Sequence, residues 1–164
     1  MESTFVDQGR KKGETMGHNE LLNANWTVIE SDNPKYYQLD QKIHFDHATM
    51  ANARVCSLQL GQDEIARFSY IPPILTKKAE EVTIGLFIRG NDLSVIKYTV
   101  IFWDEAQNEM RQWTHNVAPE VKMEFKKICV TYKIPLKATS MKVQWEFRGI
   151  NTGLTFFRPS VQLK

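Results

Sequence analysis

No apolar run in the sequence approaches the roughly 20 residues that cross a bilayer as a helix, so no membrane-spanning helix and no membrane partner are expected. Cysteine is scarce. Cys56 and Cys129 are the only two, and each sits in an apolar strand-like run, RVCSLQL or KICVTY, instead of a CxxC-type metal spacing. They read as buried thiols, since cysteine behaves as a small core hydrophobe, with a disulfide between the two strands as the alternative. An excess of one charge is missing as well: 21 Lys and Arg stand against 19 Asp and Glu, a net charge of +2. The basic residues are spread along the chain, which argues against a dedicated nucleic-acid surface. There is no GxSxG elbow, phosphate loop or HExxH, and His18, His44, His47 and His115 stand in no metal-binding spacing. The combination His44, Asp46 and His47 does not amount to a metal site, and Asp104 next to Glu105 reads as a solvated acidic tip. Neither catalysis nor a cofactor is expected. Residues 1–19 (MESTFVDQGRKKGETMGHN) lack the apolar segment of a signal peptide, so export by that route is not expected. Polar and glycine-containing, with Arg10, Lys11 and Lys12 together, they read as a flexible arm. Internal repeats, low-complexity tracts and long helical periodicity are all lacking.

What remains is strand. The 164 residues, 42% hydrophobic and 24% charged, suffice for one complete core and are few for two, so residues 20–164 are expected to form a single domain. The organising stretch is 82–104, VTIGLFIRGNDLSVIKYTVIFWD. Val82, Ile84, Leu86 and Ile88 alternate with Thr83, Gly85, Phe87 and Arg89, the period of two of a pleated strand. Gly90, Asn91 and Asp92 suit a turn. Ile96, Tyr98, Val100 and Phe102 then alternate with Lys97, Thr99, Ile101 and Trp103, predicting a long hairpin with one core face. Shorter runs at 25–30, 36–45, 54–60, 65–71, 110–117, 121–134, 140–148 and 154–163 are separated by turn residues and by Pro72, Pro73 and Pro135, which cannot donate to a ladder. Residues 47–52 read as a loop or a single helical turn. In 140–148, Met141, Val143, Trp145 and Phe147 face inward, and Lys142, Gln144, Glu146 and Arg148 outward. About nine to eleven short strands with regular turns give an all-β fold, an antiparallel β-sandwich or barrel.

Four segments carry a family likeness: NELLNANW at 19–26, VTIGLFIRGN at 82–91, ICVTYKIPLKATSMKVQWEF at 128–147 and GLTFFRPSVQL at 153–163. Their order resembles the galactose-binding-like jelly roll, and within it the carbohydrate-binding modules of the family 4 and family 22 type. The resemblance implies a sandwich that holds saccharide on a concave sheet face. Many members also bind a structural calcium through acidic residues of the last strand; this chain has Arg158 and Pro159 there, and a cation at that place repels calcium. No calcium site is carried over.

If 105–109 is a tight hairpin loop, Asp104 pairs with Met110. The same face then collects Trp103 opposite Arg111, Ile101 opposite Trp113 and Thr99 opposite His115, with Lys97 nearby. Such a strip offers a flat apolar platform for sugar C–H groups and polar groups for the hydroxyls. The alternative is that Trp103 and Trp113 complete a second core layer or are covered by a neighbouring subunit. Tyr36 and Tyr37, following the turn at 31–34, are candidate loop contacts or part of a strand edge, and Trp145 is expected in the core. These features fit a non-catalytic module built into a larger assembly, a bacteriophage tail or baseplate, attached to other subunits through the arm and recognising surface saccharide. On that account the chain is made in the host cytoplasm and ends in the virion. The alternative is an extracellular, free-standing or enzyme-derived carbohydrate-binding module.

Overall fold

Alternation builds the two layers. In Val95–Trp103 the side chains of Ile96, Tyr98, Val100 and Phe102 are fully buried, while Lys97, Ile101 and Trp103 are only partly covered. The computed structural model describes residues 18–50, 52–90, 95–149 and 153–164, apart from the side chains of 46–48. The strands among them are β1 (Ile29–Glu30), β2 (Asn33–Pro34), β3 (Tyr37–Leu39), β4 (His44–Met50), β5 (Ala53–Leu58), β6 (Ile65–Tyr70), β7 (Ile74–Leu75), β8 (Glu81–Gly90), β9 (Val95–Trp103), β10 (Glu109–Asn116), β11 (Lys126–Lys133), β12 (Ser140–Arg148) and β13 (Leu154–Leu163). They form an antiparallel β-sandwich. One sheet runs β10-β9-β12-β6-β3, with β7 also on β12; the other runs β11-β8-β13-β5-β4; β1 and β2 pair separately.

The expected hairpin over 82–104 does not form. β8 pairs with β11 and β13 in one sheet, and β9 with β10 and β12 in the other. Both strands are central, and both send their apolar faces into one core from opposite sides. Periodicity shows that a strand has a buried face; it does not show which sheet owns the strand. Of the turn expected at 90–92, Gly90 ends β8, while residues 91 and 92, like most of the expected arm at 1–19, lie outside the described residues. The segment 47–52, expected as a loop or a single helical turn, instead belongs largely to β4, whose Thr49 and Met50 pair with Arg54 and Ala53.

An aromatic cluster spans the layers. Trp26, with no exposed surface, meets Tyr37, Phe45, Phe68 and Phe156 edge-on at centroid distances of 5.8–6.3 Å. Phe68 stacks on Trp145 at 4.5 Å and on Phe156 at 5.3 Å, joining β6 and β12 of one sheet to β13 of the other. Each such ring contributes about 1.5–3 kcal/mol through burial alone, and Trp145 is thus the core residue expected. Cys56 and Cys129 are both buried thiols. Where the described chain begins, Asn19 is tied to the last strand: its Nδ2 donates to the Pro159 carbonyl (3.2 Å) and its Oδ1 accepts from the Val161 N–H (3.0 Å).

Candidate functional site

The loop between β9 and β10 decides which side chains share a face. Asp104 N–H donates to the Asn108 carbonyl (3.0 Å), and Asp104 Oδ1 accepts from Asn108 N–H (2.9 Å). Gln107 takes a left-handed φ of 66°. The loop therefore closes on Asn108, and Trp103 pairs with Glu109; after a bulge at Met110, Arg111 faces Phe102, Trp113 faces Val100 and His115 faces Tyr98. Past the bulge the expected register is off by one residue, which turns every side chain of β10 over.

The predicted strip is consequently divided. Trp103 and Lys97 lie on the outer face of their sheet, whereas Arg111, Trp113 and His115 lie on the face toward β11. There the Trp113 ring stacks on Tyr132 at 6.4 Å and 12°, with the Arg111 guanidinium 5.1 Å from its centre. Trp113 packs against the core, and its buried Nε1–H finds no acceptor among the described residues. It completes the core at the flank where two edge strands meet, which is one of the alternatives weighed for it. Tyr37, expected as a loop contact or part of a strand edge, lies on the edge strand β3; it is buried and donates its hydroxyl to the Leu22 carbonyl at 3.0 Å. Tyr36 also packs against the core; it has a left-handed φ of 78°, and its carbonyl accepts from Ile71 N–H. Neither tyrosine meets the outer face of β9.

That outer face holds a groove of about 420 Å³. Four neighbouring strands build it: Gln112 and Thr114 from β10; Lys97, Thr99 and Ile101 from β9; Gln144 and Glu146 from β12; Arg67 from β6. Register aligns them in rungs, one running Thr114, Thr99, Gln144 and the next Lys97, Glu146, Arg67. Thr99 and Thr114 hydrogen-bond through their hydroxyls at 3.1 Å. The Glu146 side chain is only 10% exposed, and its Oε1 accepts from Arg67 Nε at 2.7 Å; Lys97 Nζ and Arg148 Nη2 stand 4.0 and 3.9 Å from Oε2. The ion pair fixes Arg67 across the groove floor while leaving amides and hydroxyls at the surface. Trp103 follows Ile101 on the same face, about 7 Å further along the strand, and adds a partly covered indole beyond the groove. Of the predicted site residues, then, this face gathers Lys97 and Trp103. The sequence missed Arg67, Gln112, Thr114, Gln144 and Glu146; the signal was the polar alternation along β12 and β6, which simple inside–outside patterning assigns to solvent.

A larger concavity of about 660 Å³ lies among residues 78–81 and 133–139 at one end of the sandwich. Two connections form most of it, with Lys78, Glu80 and Lys137 beside apolar Ile134, Pro135 and Leu136. The last strand does not fit calcium. Arg158, at a left-handed φ of 50°, donates from Nε to Asn25 Oδ1 at 2.9 Å and lies over Phe87 and Phe157. A guanidinium bonded to the Asn25 amide oxygen puts a positive charge where a hard cation would need oxygen ligands. Among the described residues no three His, Cys, Asp or Glu side chains gather as metal ligands.

No protein-family model matches the sequence, and no curated protein does either. Solved structures do. The chain is similar to the enzymatically active domain of bacteriophage CBA120 tailspike protein 4, with a TM-score of 0.64 and 14% identity over 89% of this chain; it spans only 21% of the tailspike chain. It is similar to TmCBM61, solved in complex with β-1,4-galactotriose, with a TM-score of 0.59, 13% identity and coverage of 90% and 99% of the two chains. The CBM22-1 xylan-binding domain of Paenibacillus barcinonensis Xyn10C gives a TM-score of 0.57 and 11% identity, covering 92% and 97%. Modules of families 4 and 11 resemble it as well. The sheet order, the antiparallel pairing and these likenesses agree: the chain has the jelly-roll fold of the carbohydrate-binding modules.

Proposed function

We propose that the chain is a non-catalytic saccharide-binding module whose ligand lies along the outer face of the β10-β9-β12-β6-β3 sheet. The observation that carries this is the groove itself, in which four strands present amide, hydroxyl and charged side chains in register, with Trp103 beyond them. A sugar chain needs that combination of edge-on hydrogen bonding and apolar contact. Glycoside hydrolysis calls for a pair of carboxylates; the groove has Glu146 alone, held by Arg67. The galactotriose-bound and xylan-binding neighbours lend support at the level of fold. Titration calorimetry with galactan- and xylan-type oligosaccharides tests the proposal. Binding that Gln144→Ala or Trp103→Ala weakens supports it; failure to bind any member of a broad glycan array, or binding that both variants leave intact, overturns it.

The likeness to a tailspike domain favours one setting, a bacteriophage tail or baseplate in which the module serves attachment and travels with the virion. Detection of the chain in purified particles by mass spectrometry is the expected result. Recovery only from the particle-free fraction would favour an extracellular module instead.

A further inference from the structure

We propose that the groove selects an acidic glycan, one whose repeating units carry carboxylates; this rests on the saccharide-binding reading above. Charge is distributed very unevenly over the molecule. Strand alternation places Arg67, Lys97, Lys142 and Arg148 on the outer face of this sheet, with Glu146 and, opposite Trp103 at the loop end, Glu109 as carboxylates. Four cations less two anions leave +2 on this one face, as much as the whole chain carries. Glu146 faces three of these cations within 4.0 Å. Arg67 takes Oε1 at 2.7 Å, while Lys97 stands 4.0 Å from Oε2, beyond hydrogen-bonding distance, with its side chain 39% exposed. Their positions also matter. Arg67 and Lys97 sit on strands flanking β12, about 10 Å apart by strand spacing, and Lys142 lies two rungs further along. Cations spread over several rungs match a polymer charged at intervals better than a single ion. The amides of Gln112 and Gln144 and the Thr114 hydroxyl lie between them to meet sugar hydroxyls. A nucleic acid is the less fitting polyanion, since successive bases stack on several aromatic rings and the groove has only the Trp103 indole beside it.

The test is titration of the full chain with oligogalacturonate and with a neutral galactan oligosaccharide of equal length, at low and at moderate salt. An exposed ion contact is worth a few-fold at most, so three of them give the acidic oligomer an advantage of about tenfold at low salt, which shrinks as salt screens it. Lys142→Gln, a surface change outside the groove lining, is expected to cut that advantage several-fold while leaving the melting temperature and neutral-sugar binding in place; Lys97→Gln, within the groove, is expected to weaken acidic binding several-fold more than neutral binding. Neutral binding equal to or stronger than acidic binding overturns this inference and leaves the saccharide-binding proposal standing. Failure of both oligomers to bind overturns both. Tighter binding of single-stranded DNA than of oligogalacturonate overturns the choice of a glycan.

Discussion

The two tryptophans once placed on a single strip separate cleanly by experiment. Trp113 packs against the core and stacks on Tyr132, whereas Trp103 points outward beyond the groove. Truncating a fully buried tryptophan costs about 3–5 kcal/mol; Trp113 is half-covered at the sandwich flank, so Trp113→Ala should cost about 2 kcal/mol. For a domain of this size that lowers the melting temperature by about 4–8 °C. Trp103→Ala removes an outward ring and should change stability by no more than about 0.5 kcal/mol, a shift of about 1–2 °C. Its effect falls on the ligand: loss of an aromatic platform worth about 1–2 kcal/mol weakens binding roughly 5- to 30-fold. Differential scanning calorimetry and saccharide titration on the two variants give the four numbers needed. A Trp113→Ala protein that melts normally yet loses binding, or a Trp103→Ala protein that is as unstable as Trp113→Ala, would refute the assignment of the two rings to opposite faces.

Other variants probe the frame that holds the groove. A Cβ at Gly85 would stand 2.8 Å from Ser160 Oγ and 2.9 Å from Cys129 Sγ, both on strands paired to β8; Gly85→Ala should cost about 1–3 kcal/mol by overpacking, measured as a lower urea midpoint. Burial pushes the Tyr37 and Tyr98 phenols well above their ordinary value of 10.0, and both donate to backbone carbonyls at 2.9–3.0 Å. A raised native value means that stability is complete below pH 10 and is lost as pH rises toward the native titration, by up to about 1.4 kcal/mol per pH unit for each phenol. Urea titrations between neutral and strongly alkaline pH should show that decline, and Tyr98→Phe should flatten it; an unchanged slope in the variant would remove Tyr98 from the account. Arg158→Ala gives up the bond to Asn25 and the contacts with Phe87 and Phe157, about 1–2 kcal/mol together. Arg158→Gly should recover part of this because φ is 50°, and a chelator should leave the wild-type melting temperature unchanged; a drop on chelation would reinstate a structural cation.

How far the sequence could be read follows from what each of its patterns encodes. Alternation in residues such as Ile96 to Phe102 and Met141 to Phe147 depends on each strand's own two faces, so strand existence, the core face and the sandwich class were all legible, and Trp145 took its expected place. The four short segments carried the resemblance to the jelly-roll modules for a related reason: they mark strands and turns that every copy of the fold must have. Sheet membership is a relation between distant segments, and nothing in residues 82–104 distinguishes a hairpin from two strands facing each other across the core. Register is finer still. Asp104, whose carboxylate caps Asn108 N–H, closes the loop early, and Met110 then bulges; those two local events, invisible to a count of apolar positions, moved Trp113 from the outer face to the inner. The groove was obscured for a third reason. Gln144 and Glu146 occupy outward positions, and outward normally means solvated, yet Glu146 is almost fully covered because Arg67 and Lys97, 79 and 49 positions away, arrive beside it on neighbouring strands. In this fold the tertiary pairing of β6, β9, β10 and β12, and not any motif along the chain, is what gathers scattered polar residues into the groove proposed to bind saccharide.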